Sequence, residues 1–270
     1  MIDMSLDKKS TLIIIVALDK KPQQTLTYRT LCSTKYGQQL DIIFWSNKHK
    51  GQSFKKENLN FISSPQNLNL SQVYNNILNN NLNYVRYMIF DDDSNINEEY
   101  LESVIKSNSE ICVPEVEVNE NKVYPICIKS NRVVDSTVDG GFKSINSGIC
   151  LSYKLIEKIK AEYGNVYDEK FSFYGTDFSL FYRLDKLGVK VVQQGKISHS
   201  LSRLESIYEP NCFRWRQKLY ENILMWRNYP KYNSPTLIIK VIVKLFVYFD
   251  RKTFRKAVGV LIRNRADINE

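Results

Sequence analysis

The segment YMIFDDDSNI, residues 87–96, runs an apolar stretch directly into three consecutive carboxylates, Asp91, Asp92 and Asp93. Like charges this close repel, and a cation among them relieves the repulsion. Carboxylates at alternate positions, here Asp91 and Asp93, can converge on a hard divalent ion such as Mg2+ or Mn2+, whose remaining positions accept diphosphate oxygens. An ion held that way neutralises a leaving diphosphate without proton transfer. An acidic surface turn or a helix-capping run has the same composition, so the place of the triplet in the fold must separate the readings.

Two further residue types bear on that chemistry. The chain has two histidines. His49, in the basic loop SNKHKG, reads as exposed, whereas His199 closes a β-like run in VKVVQQGKISH. If that run lies parallel to the strand before the aspartates, its imidazole reaches the same ion; otherwise it is a hydrogen-bonded structural histidine. In FYGTDFSLFYRLDKLG, Thr176 is the expected N-cap, Leu180, Leu184 and Leu187 share one face, and Gly188 stops the helix. Asp177 then falls in the first turn, where the helix dipole stabilises a carboxylate and keeps it ionised. Beside a polar pocket, such a group can take a proton from an attacking hydroxyl.

The elements that must position these groups follow from hydrophobic periodicity. TLIIIVAL, DIIFW and YVRYMIF read as short strands. Between the second and third, Ser71 is expected to cap a helix with Val73, Tyr74, Ile77 and Leu78 on one face. Alternation of strands and helices implies βαβ units and a mainly parallel sheet, whose ligands gather at the carboxyl ends of strands. The triplet lies at such an end. Asn97 caps EEYLESVIKS, a loop is expected through Asp139-Gly140-Gly141, and a helix from about 152 to 163 ends at Gly164. TLIIIVAL lacks a basic flank before it and a small-residue cleavage site after it, so it reads as a buried strand rather than a signal peptide.

The 270 residues suffice for one large or two modest domains, and 43% hydrophobic content is ample for a core. A formal charge of +9 favours anionic partners without choosing among nucleic acid, acidic lipid and phosphorylated molecules. The five cysteines, Cys32, Cys112, Cys127, Cys150 and Cys212, form no CxxC pair and read as reduced, mostly buried thiols of a cytosolic protein. From residue 235 the tail mixes apolar residues with Lys240, Lys244, Arg251, Lys252, Arg255, Lys256, Arg263 and Arg265. Its apolar pieces are too short to span a bilayer. A basic amphipathic segment on a membrane surface and a helix packed on the domain both fit. Phe213, Arg214, Trp215, Arg216 and Trp226 interleave aromatic and basic residues without a nucleic-acid motif, and read as a helix against the core or lining a groove.

In their order along the chain, DIIFWSN, NLNLSQVYNN, YMIFDDDS, SINSGICLS, FYGTDFSLFYRL and KISHSLS resemble glycosyltransferase family two, inverting enzymes of the GT-A fold, and its bacterial rhamnosyltransferase-like branch in particular. The likeness covers about residues 10–205. It implies an α/β fold with a Rossmann-like, mixed, mainly parallel sheet: a catalytic domain over 1–205, with a nucleotide-sugar half to about 95 and an acceptor half beyond, then a helical basic extension over 206–270. It implies a divalent cofactor, Mn2+ or Mg2+, on Asp91, Asp93 and His199, and Asp177 as catalytic base. Donor binding is implied for Ala17, Ser46, Asn47, Asn75 and Asp92, and sugar or acceptor binding for Asn146, Ser147, Gly148, Thr176 and Arg183, the last favoured as a brace. The implied partners are a dTDP- or UDP-linked sugar, with rhamnose the first expectation, a bacterial surface polysaccharide or lipid-linked glycan, and the inner leaflet, with no nucleic acid. The sequence departs from the family at Ser46, where many relatives carry an aspartate that reads the base, and at Thr176, where many carry glutamate. A non-catalytic sugar-binding protein of the same fold and a Mg2+-dependent phosphohydrolase are the competing readings.

Overall fold

A computed structural model describes residues 9–134, 141–200, 213–234, 236–247 and 250–269. The loop expected through residues 139 and 140, Cys212 and the end of KISHSLS therefore lie outside the described residues. Among the described residues the strands are β1 (Lys9–Leu18), β2 (Asp41–Asn47), β3 (Phe54–Lys56), β4 (Leu59–Ser64), β5 (Tyr84–Asp91), β6 (Ser94–Asn95), β7 (Ile111–Val118), β8 (Asn121–Tyr124), β9 (Ile126–Cys127), β10 (Phe142–Lys143), β11 (Ile149–Ser152) and β12 (Val192–His199). The helices are α1 (Leu26–Cys32), α2 (Lys35–Gln39), α3 (Leu70–Asn80), α4 (Glu98–Ile105), α5 (Tyr153–Tyr163), α6 (Thr176–Lys186), α7 (Phe213–Asn228), α8 (Thr236–Val247) and α9 (Arg251–Arg263).

The main sheet runs β3-β4-β2-β1-β5-β11-β7-β12-β6, with β8 on the side of β7. β1, β2, β4 and β5 are mutually parallel, and β11 is inserted antiparallel between β5 and β7. β12 is parallel to β7, hence to β5, as the placement of His199 required. The carboxyl ends of β1, β2, β5 and β12 thus share one edge, and β11, running the other way, brings its beginning to that edge. Both faces are covered: the β-branched run of β1 sends Ile14 and Val16 into one apolar cluster and Ile13 and Ile15 into another, all buried. This is the pattern of a strand buried on both sides.

Several expectations about helix ends are corrected. α3 begins after Asn69, whose N–H donates to Gln72 Oε1 at 3.3 Å. Ser71 is inside the helix and its hydroxyl donates to the Phe171 carbonyl at 2.6 Å. α6 is preceded by Gly175 at φ 86°, not capped by Thr176, whose hydroxyl donates to the Phe173 carbonyl at 3.0 Å. Asn97 and Ser152 do cap α4 and α5, and Gly164 ends α5 at φ 79°. Of the described cysteines, Cys112 and Cys150 are buried while Cys32 and Cys127 are half-buried, and all four are free.

The C-terminal helices are docked on the sheet domain. Leu219, Tyr220, Ile223 and Leu224 of α7 pack with Phe171 and Tyr182, and Val241 of α8 and Ala257 and Val260 of α9 join the same cluster. No helix among the described residues is long and apolar enough to cross a membrane.

Gly148, at φ 85°, is the tightest point of the turn into β11: a Cβ there would lie 2.5 Å from Pro114 Cγ. Gly164, at φ 79°, has open space instead. Alanine at Gly164 should therefore cost backbone strain alone, about 1 kcal/mol, and at Gly148 strain plus overlap, about 3 kcal/mol. Urea denaturation of the two variants checks the difference, and equal costs would remove the Pro114 contact as a constraint.

Candidate active site

The aspartate turn is positioned through its main chain. Thr27 of α1 donates its hydroxyl to the Asp91 carbonyl at 2.5 Å and accepts from the Ser94 N–H at 2.8 Å. Ser147, in the turn before β11, accepts from the Asp91 N–H at 3.1 Å. The Ser147 hydroxyl is bonded to that of Ser94, and Ser94 Oγ lies 2.9 Å from His199 Nδ1. Ser147, Ser94 and His199 thus form one relay between the start of β11 and the end of β12. With Nδ1 engaged there, His199 Nε2 lies 4.0 Å from Asp91 Oδ2, and Nδ1 is also 3.4 Å from Asp93 Oδ1.

The carboxylates crowd one another. Enclosure pushes Asp91 up to about 8, and the charges of Asp93, Asp92 and Asp177 add to the rise. Of the Asp91 side chain, 37% is open to solvent. Asp93 is pushed up to about 6, first by enclosure and then by Asp92, while Lys20 and Arg214 pull it down. Asp177, far away in the chain, is therefore close enough for its charge to be felt at Asp91. It sits at the second position of α6, its Oδ1 accepting from the Phe178 N–H at 2.9 Å.

Lys20 pairs with Asp92 at 2.6 Å across the cleft edge, and the Tyr74 hydroxyl lies 3.5 Å from Asp91 Oδ1. Tyr74 stacks near Tyr167, with ring centroids 4.8 Å apart, and Tyr167 donates to Asn146 Oδ1 at 3.1 Å. Burial and the Asp91 charge hold the Tyr74 hydroxyl well above its ordinary range, so it stays a neutral donor. Lys20, Ser94 and Thr27 were not marked by their sequence context. Tyr74 alone had a signal, because it lies on the apolar face of α3 yet carries a hydroxyl that a core position must satisfy.

The remaining candidates divide. Asn146, Ser147, Gly148, Thr176 and Asp177 fall in segments that meet the aspartate turn or adjoin it. Ala17, Ser46 and Asn47 lie side by side at the ends of β1 and β2, in register Ala17 with Ser46 and Leu18 with Asn47. Ser46 accepts from the Lys20 N–H at 3.1 Å, and Asn47 spends its amide on Asn67 and Leu68. Asn75 donates to the Tyr167 carbonyl and Glu169 and accepts from the Tyr167 N–H, bracing that loop, while the hydroxyl of its neighbour Tyr74 lies 3.5 Å from Asp91. Arg183 donates to the carbonyls of Asn165 and Val166 and lies 3.5 Å from Asp168. His49 is not exposed; it packs edge-on against Phe61 and pairs with Asp19 at 3.0 Å.

Sequence reasoning also missed Lys143. It is buried, with its Nζ 4.9 Å from the centroid of Phe178, the residue after Asp177. Among the described residues no group of three His, Cys, Asp or Glu side chains is placed so that it could hold a metal ion. Asp91 and Asp93 are both neighbours of the His199 ring but meet different nitrogens of it, Asp91 lying 4.0 Å from Nε2 and Asp93 3.4 Å from Nδ1.

No protein-family model and no curated protein matches the sequence. Among solved structures the chain is similar to GalNAc-T7 crystallised with UDP, GalNAc and Mn2+, with a TM-score of 0.58 and 12% identity over 97% of this chain and 56% of that one. It is also similar to S. aureus TarS, with a TM-score of 0.53 and 10% identity over 94% of this chain and 49% of that one. Against TarS 1-349 in complex with UDP-GlcNAc the TM-score is 0.55 and the identity 11%, over 95% and 82% of the two chains. The chain thus spans about half the length of the first two. The likeness is one of fold: this is a GT-A architecture, with a mixed, mostly parallel sheet flanked by helices.

A carboxyl with a folded pKa above its unfolded value of 3.8 destabilises the fold increasingly as pH rises from about 3.8 to about 8. With metal chelated, Asp91→Asn should remove that penalty and raise the thermal midpoint at neutral pH. The gain should shrink as the pH is lowered toward 4. Scanning calorimetry across pH checks it, and a constant difference between the proteins would remove Asp91 as the source.

Proposed function

We propose that the chain is a metal-dependent glycosyltransferase that moves a sugar from a nucleoside diphosphate to a hydroxyl with inversion, in the manner of the family-two enzymes its motifs resemble. The observation that carries this reading is the convergence of Asp91, Asp93, His199 and Asp177 on one sheet edge. Carboxylate oxygens with an imidazole suit Mg2+ or Mn2+. Two carboxyls raised by enclosure and by mutual repulsion would be relieved by a cation among them. Asp91 and Asp93 would hold the ion with His199; when bound, it supplies charge neutralisation to the departing diphosphate.

The chain's own groups do the rest. Asp177 accepts the proton of the attacking hydroxyl, so the incoming oxygen gains nucleophilicity as its bond to the sugar forms. A single displacement of this kind needs no covalent enzyme intermediate. Asp92, steadied by Lys20, faces the donor, while Ala17, Ser46 and Asn47 form the wall behind it, shaped by bonds to Lys20 and to residues 67 and 68. Asn146, Ser147, Gly148 and Thr176 border the transferred sugar and acceptor. Asn75 and Arg183 act beneath the site, by holding the loop over 165–169. The family likeness makes rhamnose from a thymidine diphosphate the first donor to test, and a bacterial surface polysaccharide or lipid-linked glycan the acceptor.

An acceptor anchored in lipid calls for an enzyme that rests on the cytoplasmic face of the membrane, and the last two helices suit that position. Ile239, Ile242 and Val243 recur at helical spacing on the outer side of α8 with 58, 46 and 52% of their surface exposed. Leu261 and Ile262 of α9 are exposed as well. Over residues 236–265, the eight Lys and Arg side chains named above face a single acid, Asp250, which caps α9. Exposed apolar side chains set among cations match the chemistry of an anionic bilayer surface.

Nucleotide sugars screened for metal-dependent release of nucleoside diphosphate test the reaction. Asp177→Asn should keep donor binding and lose about 10²- to 10⁴-fold in transfer, and Asp93→Ala should lose metal-dependent nucleotide binding. Transfer that persists in Asp177→Asn would remove it as the base, and binding with no turnover of any donor would turn the reading to a sugar-binding protein. Cosedimentation with phosphatidylglycerol vesicles tests the surface: binding should fall about tenfold or more in an Ile239→Glu, Ile242→Glu variant and weaken with salt. Equal binding to phosphatidylcholine would sink the membrane assignment.

A further inference from the structure

Lys143 ends the short strand β10, three residues before the Asn146-Ser147-Gly148 turn begins, and only 7% of it is exposed. Its ammonium lies 4.9 Å from the ring centroid of Phe178 and 5.9 Å from that of Tyr182. Among the described residues it meets these two aromatic faces and has no hydrogen-bond acceptor and no ion pair. An ammonium carries three donors. Aromatic faces balance part of its charge and satisfy none of those donors, and a buried charge left unsatisfied is costly. The group is also not sealed away, because its nitrogen is not among the fully buried polar atoms that lack a partner.

Its surroundings point to the same end. Enclosure pulls the Lys143 pKa below the usual range; Glu221 opposes the fall, Lys218 deepens it and Asp177 opposes it again. Lys143 thus faces the start of α6 and the α7 residues Lys218 and Glu221. Glu221 is already paired with Lys218, so its charge is shared. Arg214, on the same helix, is close enough to Tyr174 and Asp93 to alter both. A neutral hydroxyl would meet a donor or two and leave the charge unbalanced, whereas a phosphate or carboxylate meets both needs.

We infer that Lys143 anchors an anionic group, a phosphate or a carboxylate, borne by the acceptor and held beside Asp177. The anion site stands on the geometry of Lys143 alone; its assignment to an acceptor rests on the transferase reading. Binding there would set the position of the attacking hydroxyl relative to the base, which makes Lys143 a positioning and specificity residue.

The test is a thermal-shift titration with chelator present and no nucleotide, at constant ionic strength, using glycerol 3-phosphate and glucuronate, with glycerol and glucose as uncharged controls. The wild type and Lys143→Arg should show a saturable rise in midpoint with at least one anion and none with the controls. Lys143→Met should start from an equal or higher midpoint, since it removes an unsatisfied charge, and respond about tenfold more weakly. A response to glycerol 3-phosphate alone assigns a phosphate-bearing acceptor, and one to glucuronate alone an acidic sugar. No saturable response in the wild type, or an undiminished one in Lys143→Met, overturns the proposal. Metal-dependent UDP binding, measured separately on the same proteins, keeps the two readings apart: its loss with a surviving anion response fells the transferase reading and leaves the anion site, and the reverse fells only the anion site.

Discussion

The site rests on an electrostatic conflict: carboxylates from separate parts of the chain are held together against their own repulsion. The fold manages this without spending the carboxylates. Thr27 and Ser147 bind the carbonyl and N–H of Asp91, and Thr27 also takes the N–H of Ser94, so the turn is fixed through its backbone. The side-chain oxygens of Asp91 and Asp93 remain largely uncommitted, with a long contact from Tyr74 and the edge of the His199 ring as neighbours. Neutral hydroxyls suit this role because they satisfy backbone groups and add no charge. An arginine in place of any of them would quench the repulsion and with it the attraction for a cation.

Sheet topology supplies the rest of the convergence. β5 and β12 are parallel but separated by β11 and β7, and the reversed strand β11 lets the turn at 146–148 enter between them. The relay from Ser147 through Ser94 to His199 ties the turn before β11 to the aspartate turn and the end of β12. A shift on either side is therefore transmitted through three contiguous side chains, buried and hydrogen-bonded.

Much of this was legible in the sequence because it is local. Apolar runs of β-branched residues mark β1, β2 and β5, and the aspartates follow the last of them without a break. Cap positions were less legible, since they depend on where a side chain finds its partner. Ser71 and Thr176 both look like caps, yet Ser71 bonds to Phe171 and Thr176 to Phe173, and Gly175 takes the turn by its positive φ. Asn75 and Tyr74 are adjacent, and a helix turns them to different sides, so naming the pair could not say which one reaches Asp91. Strands of two residues such as β6 and β10 have no periodicity to read, which is why Ser94 and Lys143 stayed hidden. The basic tail was recognisable by composition; which of its faces α7 covers is set by tertiary packing.

One late contact joins the far end of the chain to this machinery. The Ile268 N–H donates to Asn69 Oδ1 at 2.8 Å, the Ala266 N–H donates to the Lys170 carbonyl at 2.9 Å, and Gln217 holds the Asp267 carbonyl. Asn69 opens α3, the helix that delivers Tyr74 to Asp91, so residues 266–268 work as a clasp on the footing of the aspartate turn. A change at residues 266–268 would therefore be felt at a tyrosine that stands far earlier in the primary structure.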